Sequence, residues 1–238
     1  MKIFIGTDIK DARAYDVLVE SIYSHTKSPV EVIPIKEHEL RWQKKYWRSY
    51  RVDSKGQMWD DRDGKPFSTA FSFTRFCVPM MNDFRDEWVV FMDPDMMFRA
   101  DIEELFDYAD KSKALSVVKH VHTPTEETKM GGLAQTLYER KNWSSLMIMN
   151  TARCNGLDPY TVNNMPGSYL HGLGWIEDEK IGSLHEAWNW LEGWSSPDIT
   201  PLNVHFTRGT PDMPACEGVA YADEWLSYAN QHHVRKVA

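Results

Sequence analysis

The segment Val89-Val90-Phe91-Met92-Asp93-Pro94-Asp95 places two carboxylates two positions apart at the end of an apolar run. Carboxylates so spaced can hold a divalent cation, and a cation held there can neutralise a diphosphate. Context gives the spacing its meaning. Asp61-Arg62-Asp63 repeats it in a polar turn before Gly64 and Pro66, with no apolar run behind it, and so acts as an internal control. A solvated strand-to-helix turn is the plain alternative for Asp93 and Asp95. The second segment is Leu202-Asn203-Val204-His205-Phe206-Thr207-Arg208-Gly209, an apolar run that holds a histidine and ends in a basic, glycine-containing loop. Such a histidine is either a hydrogen-bonded core residue or a ligand. Paired with Asp93 and Asp95, His205 would complete a mixed carboxylate and imidazole shell that suits Mn²⁺ better than Ca²⁺. Arg208 and the Gly209 backbone would then face phosphate.

Strands must deliver these groups. Lys2 to Gly6 reads as a buried strand, Tyr15, Leu18, Val19 and Ile22 follow at the i, i+3, i+4, i+7 spacing of an amphipathic helix, and Val30 to Ile35 reads as a second strand. Together they form one βαβ unit of a parallel sheet. Trp88 to Met92 has the continuous apolar character of a strand buried on both faces. Open α/β sheets bind ligands at the carboxyl ends of their strands, where Asp93 and Asp95 fall. Ala114 to Val118 and Leu146 to Met149 read as further central strands, and Leu202 to Phe206 as a late one.

Residues 37–66 are polar and aromatic and read as an insertion, in which Lys44, Lys45, Arg48 and Arg51 are expected to form a solvated basic face. Ser68 is expected to cap a helix toward Met81 that carries Phe71, Arg75 and Val78, with Pro79 limiting its last turn. Asp101 and Glu104 have the spacing of a capping box. A closing helix is expected from Tyr221 to about Gln231, within the last stretch, 221–238.

Across 238 residues, 42% hydrophobic, the chain can bury one substantial core, and no linker or repeat calls for a second domain. The formal net charge of -8 argues against nucleic acid as a partner, since phosphate contacts need a basic excess. No apolar run approaches the roughly 18–20 residues of a membrane span, and the start lacks a secretory signal, so a cytoplasmic protein without a transmembrane anchor is expected. Cys77, Cys154 and Cys216 are odd in number, far apart and without a C-x-x-C pair, which fits reduced structural thiols.

Five segments, in order, resemble glycosyltransferases of the GT-A fold, most closely the family 8 group containing glycogenin and bacterial galactosyltransferases. They are Ile3 to Asp8 with Tyr15 downstream, Ser68 to Met81 with Arg75, the D-x-D strand, Ser145 to Asn150, and Asn203 to Gly209. The resemblance implies an α/β fold: a single GT-A (Rossmann-like) domain over residues 1–238 with a mixed, mostly parallel central sheet flanked by helices. It assigns Thr7, Asp8 and Tyr15 to the base and ribose of a nucleotide-sugar donor, Arg75 to donor phosphate or sugar, and Asp93, Asp95 and His205 to Mn²⁺ or Mg²⁺. The segment Trp175 to Gly182, with Glu177-Asp178-Glu179 inside it, resembles the family's acidic D-Q-D stretch, a residue of which lies beside the anomeric carbon, and is followed by a Trp-Asn pair, Trp188-Asn189, as in the family. Asp178, and secondarily Glu177, would stabilise oxocarbenium-like charge or contact the acceptor.

Two departures stand out. Trp143-Ser144-Ser145 replaces the family's Asn-x-Gly-Val, and Arg208-Gly209-Thr210-Pro211 replaces its Lys-Pro-Trp ending, with Arg208 as the substitute for the lysine. The implied function is metal-dependent transfer of a sugar, with retention, from a nucleotide-diphosphate sugar (UDP by resemblance) to an unidentified glycan, lipid-linked sugar or protein acceptor. Two alternatives stay open: a nucleotidyltransferase that forms nucleotide sugars, against which Gly6-Thr7-Asp8-Ile9-Lys10 offers only one glycine for a phosphate loop, and a non-catalytic carbohydrate-binding protein using the ten tryptophans.

Overall fold

The computed structural model describes residues 1–121, 128–129, 133–134 and 140–237. Its opening unit runs from β1 (Lys2–Gly6) through α1 (Ala12–His25) to β2 (Glu31–Ile35), with β1 and β2 parallel. The chain then makes a short helix α2 (Glu37–Trp42) and a three-stranded antiparallel sheet of β3 (Tyr50–Val52), β4 (Met58–Asp60) and β5 (Pro66–Phe67). These elements are the body of the insertion. Arg48 within it is not part of a solvated face. It is fully buried, donates from Nε and Nη2 to the two oxygens of Asp60 at 2.7 Å each, donates from Nη1 to the carbonyls of Val162 and Met165, and lies 4.0 Å from the Phe73 ring centre. A buried guanidinium persists only where its donors are met, and four bonds of fixed geometry engage all three of its nitrogens here.

The helix expected from Ser68 to Met81 is broken into α3 (Phe71–Thr74), a 3-10 turn at Arg75–Cys77 and α4 (Val78–Met81). Ser68 does not cap it. The Asp8 carboxylate does that work from outside, accepting the Ala70 N–H at 2.8 Å, and Pro79 sits in the first turn of α4, where its missing N–H costs nothing. Gly6 explains why α3 can lie on the end of β1: a Cβ there would fall 2.5 Å from the Phe71 ring.

After β6 (Trp88–Met92) and β7 (Met96–Phe98), Asp101 caps a 3-10 helix at Ile102–Tyr108, accepting from Glu103 N at 3.0 Å; the expected α-helical capping box with Glu104 is therefore not formed. β8 (Leu115–Val118), the small hairpin of β9 (Thr128–Lys129) and β10 (Leu133–Ala134), and β11 (Leu146–Asn150) follow. The later half holds α5 (Pro159–Asn164), α6 (Gly167–His171), β12 (Ile181–Leu184), β13 (Trp190–Leu191), β14 (Asn203–His205) and α7 (Ala222–Val237).

The main sheet has the order β12-β8-β11-β6-β1-β2. β11 runs antiparallel to both β6 and β8, while the other adjacent pairs are parallel, so the sheet is mixed and mostly parallel as expected. Alternate residues serve two cores. Phe4, Val89, Phe91, Leu115, Val117, Met147 and Met149 face the α3–α4 and α5–α6 side, whereas Ile3, Ile5, Val90, Met92, Leu146 and Ile148 face α1 and the Ile102–Tyr108 turn. Both faces are covered, and for that reason these strands read as unbroken apolar runs.

Candidate functional site

The two segments singled out above lie about 110 residues apart in sequence, and the fold makes them neighbours. β14 does not join the main sheet. It pairs antiparallel with β7, the strand that immediately follows the D-x-D turn, in the register His205↔Met96, and Phe206 N donates to Asp95 O at 2.9 Å. That register sets His205 Nε2 3.3 Å from Asp95 Oδ1. Asp93, Asp95 and His205 each offer a ligand atom, and these atoms all lie within 4.8 Å of one another. The set combines two hard oxygens with one imidazole nitrogen, a donor chemistry that fits Mn²⁺ or Mg²⁺ completed by substrate and solvent oxygens.

Asp93 is also held from the other side. Arg75, 6% exposed, approaches Asp93 Oδ1 at 3.0 Å and donates to Ser144 O at 2.9 Å, and its guanidinium lies 5.4 and 5.2 Å from the rings of Phe71 and Phe91. Arg75 opens the 3-10 turn at Arg75–Cys77, which follows α3 directly. Asp93 N donates to Ser145 O at 2.9 Å, which ties the D-x-D turn to the start of β11.

These groups border a cavity of about 270 Å³ at the carboxyl end of β6. Asp11, Asp93, Asp95, His205 and Thr207 line it together with Arg75, Lys141, Ser144 and Ser145, and so do Asp63, Lys65 and Phe67 and, on α6, Gly167, Ser168 and His171. Burial, followed by the charges of Asp95, Asp8 and Asp93, pushes the Asp11 carboxyl up to about 7. Carboxylates crowded together in this way favour a cation beside them.

Sequence reasoning missed Asp11, since three carboxylates from two strand ends converge on it only in three dimensions. It also missed Lys141 and His171, whose segments carry no strand pattern. Asp63 of the control pair borders the cavity too: its Oδ2 accepts Gly167 N at 2.8 Å and its Oδ1 accepts Lys65 N at 2.9 Å.

The remaining expected residues lie at the margin. Thr7 Oγ1 donates to Ile35 O at 2.5 Å, Asp8 accepts Lys10 N and Ala70 N, and Tyr15 is half-buried on the α1 side of the sheet. All three belong to the carboxyl end of β1 or the helix after it, and none lines the cavity. Arg208 makes three bonds of 2.8–3.2 Å to Glu192, and Gly209 turns there with φ +137°. Glu177 and Asp178 precede β12 and do not line the cavity; the exposed Asp178 accepts from Arg140 at 2.7 and 2.8 Å.

No family-level sequence profile matches the chain. Protein CDI of Arabidopsis thaliana is 39% identical over 239 residues, covering 98% of this chain and 87% of that protein. Among solved structures, the bifunctional glycosyltransferase WbbM in its apo form superposes with a TM-score of 0.63 at 14% identity, over 100% of this chain and 52% of that one. The chain thus spans about half of WbbM. The galactosyltransferase LgtC, in complex with donor and acceptor sugar analogs, gives 0.60 at 14% identity, covering 97% of this chain and 96% of that one. Apo GlyE of Streptococcus pneumoniae TIGR4 gives 0.58 at 14% identity, over 99% and 63% of the two chains. The fold is the GT-A fold of these glycosyltransferases. Among the described residues no helix is long and apolar enough to cross a membrane.

Proposed function

The chain belongs to the family of protein CDI, and we propose that it is a metal-dependent glycosyltransferase that moves a sugar from a nucleoside diphosphate donor to an acceptor hydroxyl. The observation that carries this reading is the convergence of Asp93, Asp95 and His205 at a strand end beside a cavity, in a fold shared with WbbM, LgtC and GlyE. Asp93, Asp95 and His205 would hold Mn²⁺ or Mg²⁺. When bound, the ion supplies stabilisation for the negative charge that grows on a departing nucleoside diphosphate.

The chain's own groups position the donor. Arg75 is fixed by Asp93 and Ser144 with its guanidinium on the cavity wall, where it can meet a phosphate or sugar oxygen without first paying side-chain entropy. Thr207 borders the same space, and Arg208 and Gly209 follow it as the phosphate-facing turn, with phosphate competing against Glu192 for the guanidinium. Thr7, Asp8 and Tyr15 are assigned to the base and ribose on the strength of the family 8 resemblance, as are UDP and retention of anomeric configuration. A role for Asp178 or Glu177 at the anomeric carbon would require the Asp178–Arg140 pair to open.

Donor hydrolysis measured across a panel of nucleotide sugars with Mn²⁺ tests the reading. Release of nucleoside diphosphate is expected; release of pyrophosphate would indicate a nucleotidyltransferase, and sugar binding without turnover would indicate a carbohydrate-binding protein.

A further inference from the structure

His205 can act as a ligand only if Nε2, the ring nitrogen that faces Asp95, carries a lone pair, and free imidazole gives no assurance of that. Its other nitrogen, Nδ1, lies 2.9 Å from Oδ1 of Asn189, a residue with no exposed surface. Which group donates between them is settled one bond further away. Ser145 Oγ gives its only hydrogen to Asn142 O at 2.7 Å, so its remaining capacity toward neighbours is as an acceptor. Asn189 Nδ2 donates to that oxygen at 2.9 Å, with Asn142 O a weaker second acceptor at 3.4 Å. The amide nitrogen of Asn189 is thereby committed to Ser145, and its carbonyl oxygen must face His205. A carbonyl accepts and cannot donate, so Nδ1 carries the hydrogen, and in the neutral ring Nε2 is left with the lone pair.

We infer that Asn189 is a positioning residue: through the relay Asn142–Ser145–Asn189 it locks His205 in the Nδ1–H tautomer and aims the Nε2 lone pair at the space between Asp93 and Asp95. The inference rests on the metal-site reading for its consequence, although the tautomer itself does not. The same Ser145 that orients Asn189 also accepts the Asp93 amide through its carbonyl. One residue at the head of β11 therefore sets both halves of the ligand set, and both Ser145 and Asn189 are buried polar groups whose bonds are met within this relay.

The test uses Asn189→Ala and Asn189→Asp in the full chain, with ¹⁵N-histidine NMR of the metal-free protein and Mn²⁺ affinity from the free-ion paramagnetic resonance signal. Wild type should show His205 as the Nδ1–H tautomer. Asn189→Ala should release it to a mixture dominated by Nε2–H and weaken Mn²⁺ binding by about 10–100-fold, the range for loss of an outer-shell partner. Asn189→Asp keeps an acceptor at Nδ1, with Ser145 Oγ turning its hydrogen from Asn142 O to the new carboxylate, and should restore both the tautomer and most of the affinity. Near-UV circular dichroism selects folded material; should Asn189→Ala fail to fold, the wild-type tautomer and the Asp variant still decide. A wild-type His205 in the Nε2–H form, or an Ala variant with unchanged tautomer and affinity, overturns the inference. A wild type with the Nδ1–H tautomer but no Mn²⁺ binding upholds the Asn189–His205 relay and overturns the metal-site reading instead.

Discussion

His205 Nε2 sits 3.3 Å from Asp95 Oδ1 because β14 pairs with β7, so that the residue opposite Met96 is necessarily the neighbour of the D-x-D turn. The D-x-D strand thus supplies its own docking edge: immediately after the second carboxylate, β7 recruits the histidine at Met96. Substitutions that spare β7 should consequently remove ligands one at a time without scrambling the site.

Asp95→Ala should abolish Mn²⁺-dependent donor turnover and leave the melting temperature near that of wild type, since Asp95 lies beyond the end of β6 and its side chain keeps some solvent contact. Asp93→Ala should lose turnover and stability together. Arg75 would be left buried opposite a methyl group, a situation that costs about 3–5 kcal/mol when one member of a buried pair is removed. Thermal melts of the two variants beside their Mn²⁺ titrations make the comparison, and equal melting temperatures would show that Arg75 does not depend on Asp93.

Asp11 yields a pH prediction. Its carboxyl is raised from 3.8 in the unfolded chain to about 7 in the fold, so between these values the native state holds a proton that the unfolded state has lost. The stabilising contribution is therefore complete below about pH 4 and disappears as pH rises through 7. Asp11→Asn removes the ionisation, and its gain in melting temperature over wild type should be larger at pH 8 than at pH 5 in the absence of metal. Saturating Mn²⁺ should shrink that difference, because a cation beside Asp11 favours its charged form. A gain that does not change with pH would count against the burial and charge crowding assigned to this residue.

Much of the scaffold was legible in the sequence because β1, β6 and β8 obey one rule, an apolar run covered on both faces. The same rule hides direction: Leu146 to Asn150 is equally apolar whichever way it runs, and its antiparallel placement between β6 and β8 is settled by tertiary pairing. The three ligand candidates were visible from residue type and strand position. The orienting groups were not, since Ser145 and Asn189 are common polar residues whose meaning comes from the bond each makes. Arg48 was misread for a similar reason. A guanidinium in a polar, lysine-rich stretch looks solvated, and only Asp60, the carbonyls of α5 and the turn after it, and the Phe73 face reveal otherwise.

Arg48→Ala should destabilise the protein by about 3–5 kcal/mol, as should Asp60→Ala, since each strands a charge inside the insertion. The double variant should be less than additive, because removal of both partners leaves no buried charge unmet. Chemical denaturation of the four proteins completes the cycle. Additive losses would mean that Arg48 acts through Val162 and Met165 alone.

The two D-x-D segments finally separate by what each carboxylate holds. Asp61 is exposed and meets only the exposed Arg51, at 3.2 Å, so Asp61→Ala should alter stability by no more than about 0.5 kcal/mol and leave metal affinity and turnover unchanged. Asp63 differs although it lacks a strand behind it. Its carboxylate joins the turn before β5 to the first residue of α6, and both of those elements wall the cavity. Asp63→Ala breaks both bonds and should let Lys65 and His171 move apart, raising the donor or acceptor KM while the Mn²⁺ dissociation constant stays at its wild-type value, because no ligand candidate touches Asp63. Steady-state kinetics alongside a metal titration read the two effects separately. A loss of Mn²⁺ affinity in Asp63→Ala with Asp93 and Asp95 intact would move the metal site to the other D-x-D, whereas unchanged kinetics would show that the insertion and α6 hold their spacing without it.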